Sequence, residues 1–165
     1  MFENVKEYKN TGVNWAKSQA QIMQLLESRD IEETRFTNLS YETMKRAGLG
    51  MLDGTSAIML EFFRPTELSD GVAGTIPIRI IIPNIPANEQ KKNQAYRVLY
   101  WYLKSKFVGV ETGLFEFEQE FMAHIALGKG HGIGTMWQTF KTKMLPKIIS
   151  GESSDIKMLE PPEKK

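Results

Sequence analysis

The stretch TIPIRIIIPNIP, residues 75–86, limits the fold more than any other. Ile76, Ile78, Ile80 and Ile82 alternate with Pro77, Arg79 and Ile81, the two-residue period of a strand with one strongly apolar face. Pro77 has no N–H to give to a ladder, so this strand is expected at a sheet edge or starting at that residue. Pro83 and Pro86 are expected to end the β region. Another strand is expected at 57–63, AIMLEFF, with RPTELSDGVAG as connector, and an earlier one within IEETRFTNLS. Between those two, YETMKRAGLGMLDGTSA is broken by Gly48, Gly50 and Asp53–Gly54 and reads as turn-rich linking chain.

Helical periodicity flanks the strands. Asn14 is a good N-cap for WAKSQAQIMQLLESR, in which Ala16, Ala20, Met23 and Leu26 recur at spacings of three and four and should face a sheet. Beyond Pro86 helices are expected at about 87–112, at 114–126 after a break at Thr112–Gly113, and at 135–149, the last one covering the core. Strands grouped before helices predict an α+β fold: a small antiparallel sheet with an N-terminal helix and a C-terminal helical half packed on one face. Residues 1–13 read as a flexible arm, 14–150 as a single globular domain, and 151–165 as a polar, partly disordered tail.

Composition excludes several classes of chemistry. A chain of 165 residues can bury a core without staples, and zero cysteines remove thiolate metal sites, thiol nucleophiles and disulfides. The start MFENVKEYKNTG has no leader pattern, and no run approaches the roughly 18 apolar residues of a membrane span, so a cytoplasmic protein with no membrane partner is expected. A net charge of +1 gives no global case for nucleic acid, so any such case must be local.

That local case lies in KKNQAYRVLYWYLKSKF, residues 91–107. Sorted at about 100° per residue, Ala95, Leu99, Tyr102 and Lys106 form one stripe, and Tyr96, Tyr100, Leu103, Phe107 and Val110 the next; together they predict a main core helix. Arg97, Trp101 and Lys104, at i, i+4 and i+7, form a third stripe with a cation one turn away on either side of the indole. Such a ring can stack a base while its neighbours neutralise phosphates, or can serve only as a rim residue covered by methylene stems. Lys91, Lys92 and Lys106 extend the basic edge, and Lys141 and Lys143 lie further along. Within 88–147 nine basic residues stand against five acidic ones, an excess that suits phosphate contacts.

Two other clusters are weaker. Glu116, Glu120 and His124 would share a face if 114–126 were one helix, offering a divalent-metal or acid/base site, but no second ligand pair exists. GKGHGIG, with Lys129, Gly130, His131 and Gly132, offers free backbone N–H groups to an anion ahead of a helix near Thr135, without the order of a P-loop. No nucleophile elbow or Ser-His-Asp pattern is present, and no cofactor is implied.

In their order, NWAKSQAQIMQLLESRDIEETRF, IPIRIIIPNIP, YRVLYWYLKSKFVGVETGLFEFEQEFMAHIAL and MLPKI resemble a group of small uncharacterised bacteriophage and mobile-element proteins, over residues 14 to 148. The match departs at 128–132, where GKGHG stands in place of the group's aspartate-glycine turn. The resemblance implies a phage or viral protein in a prokaryotic cytoplasm and says nothing of activity.

The expectation is therefore a non-enzymatic accessory protein that binds single-stranded nucleic acid through the basic and aromatic helix. The alternative is a protein–protein module that assembles with itself or binds a host or phage protein. A small-anion, nucleotide or metal binder comes third.

Overall fold

The computed structural model describes residues 4–31, 33–48, 50–67, 71, 73–127 and 134–150. Three antiparallel strands, β1 (Thr34–Ser40), β2 (Thr55–Glu67) and β3 (Ala73–Pro86), form one sheet in the order β1-β2-β3. The fold is α+β, with β3 at an edge as its Pro77 requires. The Pro77 carbonyl faces away from β2 and accepts from the Ala126 N–H at 2.8 Å, while Ile78 bridges Ile125, so a short C-terminal stretch covers part of this edge.

Both long strands contain a proline that does not end them, Pro65 in β2 and Pro83 in β3, whereas β3 stops at Pro86 as expected. Pro86 ends β3 opposite Thr55, and the chain passes Pro83 by a bulge: Ser56 pairs with Ile85, but Ile58 pairs with Ile82. Asn84 takes φ +58° there, and its Oδ1 accepts from the Leu52 N–H at 2.7 Å. Pro65 lies on the central strand, yet β1 pairing reaches only Phe62, so Pro65 needs no donor on that side.

On one sheet face, Ile58, Leu60 and Phe62 join Ile78 and Ile80 under two helices, α1 (Trp15–Glu27) and α3 (Glu89–Glu111). Ala95, Tyr96, Leu99, Leu103 and Phe107 of α3 are buried, each contributing roughly 1.5–3 kcal/mol where the side chain is a full-sized hydrophobe. Tyr102, expected in this core, is 36% exposed. In α1 the buried side is Ser18, Ile22 and Leu26, with Trp15 and Leu25 alongside; Met23, expected inward, is exposed. Large Trp15 and Ile22 decide the phase, which the alanines left ambiguous.

The opposite sheet face carries a smaller cluster of Leu39, Ala57, Met59 and Met44. Met44 comes from α2 (Tyr41–Arg46), a helix inside the segment expected to be turns, started by Ser40, whose side chain caps Thr43. Beside it, Arg35, Glu61 and Arg79 line up across the three strands. Glu61 is nearly buried and accepts from both guanidinium groups; its Oε1 lies 2.9 Å from Arg79 Nε. Burial alone would push its carboxyl up, but the two arginines outweigh that and hold it below the usual range.

After α3, Gly113 turns the chain at φ +73°, and 3₁₀ geometry over Met122–His124 follows a short α4 (Phe117–Phe121). The final helical run is α5 (Met136–Thr139), a π turn over Phe140–Met144 and α6 (Leu145–Ser150). It does not cover the core: none of its side chains is buried.

Candidate nucleic-acid interface

α3 begins sharply because Asn88 Oδ1 accepts from the N–H groups of Gln90 and Lys91. Its core side faces the sheet, which leaves Gln90, Gln94, Arg97, Trp101 and Lys104 on the outer side. The N-terminal segment, expected to be loose, is held there by side-chain amides. Gln94 Nε2 donates to the carbonyls of Val5 and Glu7 at 2.8 and 2.7 Å, and Gln90 Nε2 donates to those of Lys9 and Thr11 at 2.9 and 3.3 Å. Gln94 is fully buried beneath this segment, with its amide nitrogen satisfied.

Between the two anchor points, Tyr8 adopts φ +57° and presents its ring to Trp101. The two rings are parallel within 7°, with centroids 6.4 Å apart, and remain 41% and 37% exposed. Around Trp101, Arg97 Cζ lies 5.3 Å and Lys104 Nζ 4.9 Å from the ring centroid, and Tyr100 meets it edge-on. Arg97 donates to neutral Gln21 Oε1 at 2.7 Å. Among the described residues neither Arg97 nor Lys104 is in an ion pair, so both charges remain uncompensated.

The other predicted basic residues are dispersed. Lys106 lies about 140° round the helix from Trp101, where its Nζ pairs with Glu120 Oε1 at 2.9 Å. Lys91 reaches Gln94 Oε1 at 3.3 Å. Lys92 sits 3.6 Å over the Trp15 ring, beside an open hollow of about 310 Å³ between the start of α3 and the sheet. Lys141 and Lys143 belong to the terminal helix, which is anchored at Met122–Ile125 and not along α3's outer side. The Lys129–Gly132 loop lies outside the described residues.

Glu116, Glu120 and His124 do not form a shared helix face. Helix α4 starts only at Phe117, so Glu116 is its N-cap in a capping box with Gln119, and the backbone tightens to 3₁₀ before His124. Glu120 is taken by Lys106, and His124 Nε2 meets the Tyr102 hydroxyl at 2.5 Å. Burial and the Lys106 charge lower the His124 pKa against a hydrogen bond to the Arg79 backbone that raises it, so the ring favours its neutral form; burial raises that of Tyr102. Among the described residues no group of three His, Asp or Glu side chains could hold a metal ion, and no helix is long and apolar enough to cross a membrane.

No protein-family model, no curated protein and no solved structure matches the chain.

Tyr8, Gln90 and Gln94 are the site residues that sequence reasoning misses. Arg97, Trp101 and Lys104 have a local signal in their spacing, whereas Tyr8 reaches Trp101 only because two glutamines hold backbone carbonyls, a contact that leaves no mark on residue type.

Proposed function

We propose that this chain is a non-enzymatic accessory protein, of the phage or mobile-element kind its sequence resembles, that binds single-stranded nucleic acid across the outer side of α3. The observation that carries the reading is the exposed Trp101 ring, aligned with Tyr8 and flanked by two uncompensated cations. Aromatic faces stack bases of any sequence at about 1–3 kcal/mol per base, and adjacent cations take up the phosphates between them. A duplex keeps its base faces stacked, so this surface favours unpaired strands. Tyr8 and Trp101 are the base contacts; Arg97 and Lys104 are the phosphate contacts.

The salt dependence of oligonucleotide binding tests this. Two phosphate contacts on a single strand give a slope of log affinity against log salt of about −1.4. Replacing Arg97 and Lys104 together by glutamine should remove about that much from the measured slope. A slope unchanged in that variant would rule these residues out as the contacts.

A further inference from the structure

Among the described residues the terminal helix, α5 through α6, touches the rest of the chain at Met122–Ile125 and leaves apolar side chains exposed along its length. Trp137 is 49% exposed and Ile149 78%; Met136 and Ile148 are exposed too, and Trp137 stacks on Phe140 at 5.7 Å. Isolated apolar residues on a surface need no explanation, but a large indole and several aliphatic side chains on one unburied helix do. The helix carries Lys141, Lys143 and Lys147 and no acidic residue. Two copies of it laid side by side would bring like charges together, which disfavours a symmetric helix pair.

A second uncovered apolar surface has the opposite sign. The chain after Gly113 runs back along the end of α3. The Phe115 ring lies so close to Gly109 that a Cβ there would come within 3.3 Å of it, Glu120 pairs with Lys106, and His124 meets Tyr102. Facing outward from this segment are Leu114, 73% exposed, with Phe115 and Met122, interleaved with exposed Glu116 and Glu118.

We propose that the terminal helix of one copy docks on the Leu114–Met122 surface of a second copy, head to tail. Trp137 and the isoleucines cover Leu114, Phe115 and Met122, while the lysines meet Glu116 and Glu118. Because two different surfaces join, a joined pair keeps one free surface of each kind, and the assembly grows into a ring or a filament. The Tyr8–Trp101 surface takes no part, so this association stands independently of nucleic-acid binding.

Sedimentation velocity of the full chain at low salt, over a range of concentrations, reads the association. Leu114→Lys with Glu118→Lys, or Lys141→Glu with Lys143→Glu, should each weaken it about tenfold or more, and the four changes together in one chain should restore it. Since the chain has no cysteine, a disulfide trap reports geometry without background. Chains carrying Glu118→Cys and Lys141→Cys, mixed under oxidation, should form the mixed dimer faster than either forms a dimer with itself. A monomer at every concentration overturns the proposal, as does Lys141→Cys pairing with itself as readily as with Glu118→Cys.

Discussion

The Tyr8 ring lies parallel to the Trp101 ring across 93 positions of sequence because Gln94 holds the carbonyls of Val5 and Glu7 before Tyr8 and Gln90 holds those of Lys9 and Thr11 after it. Tyr8 is thus positioned by its backbone and needs no packing of its own. Replacing Gln94 by leucine removes both hydrogen bonds and leaves two carbonyls without them, at a cost of about 1–3 kcal/mol. Trypsin should then cut after Lys6 and Lys9 faster than in the parent chain, while α3 keeps its helical signal. Equal cutting rates would show that the glutamine does not hold the segment.

Glu61 should set the acid limit of the fold. Its folded pKa is depressed, so its contribution is complete above the unfolded value of about 4.3 and is lost as pH falls through the lower folded value. Glu61→Gln should cost about 2–3 kcal/mol at neutral pH, because Arg79 is left nearly buried with a weaker acceptor. Denaturant titrations at pH 7 and pH 3 should differ less in the variant than in the parent.

His124 acts in a separate window. Its folded pKa lies below the unfolded value of about 6.5, so the unfolded chain takes up the proton first as pH falls. Stability should therefore decline from about pH 7 downward until the folded pKa is passed, and then level off. His124→Gln should flatten this slope without moving the Glu61 effect, as read from urea midpoints at pH 7, 6 and 5.

Ser18 marks a place where the fold can be improved. Its hydroxyl is buried against the core with no hydrogen-bond partner among the described residues. Ser18→Ala removes an unsatisfied group and adds helix propensity, and should raise stability by about 0.5–1.5 kcal/mol in thermal or urea unfolding.

How far the sequence could be read depended on how local each signal was. The isoleucines of β3 and the Thr112–Gly113 break that ends α3 are local, and they were legible. The full strand lengths were not, because whether Pro65 and Pro83 end a strand depends on which neighbour needs a donor, a property of the sheet. The six-residue α2 was hidden by the glycines that follow it, and the phase of α1 by alanines that fit either side. In the site, the Arg97–Trp101–Lys104 spacing was readable, whereas Lys106 was drawn away by Glu120, which becomes its neighbour only after the turn at Gly113.

The most direct measurement of the central claim is fluorescence anisotropy of a labelled single-stranded oligonucleotide at low salt, with the parent chain and with Trp101→Ala. Loss of one stacked base at about 1–3 kcal/mol predicts an affinity roughly 5- to 150-fold weaker in the variant, with a matched duplex bound less tightly than the single strand by the parent. No binding at low salt, or equal affinity of parent and variant, would contradict the account.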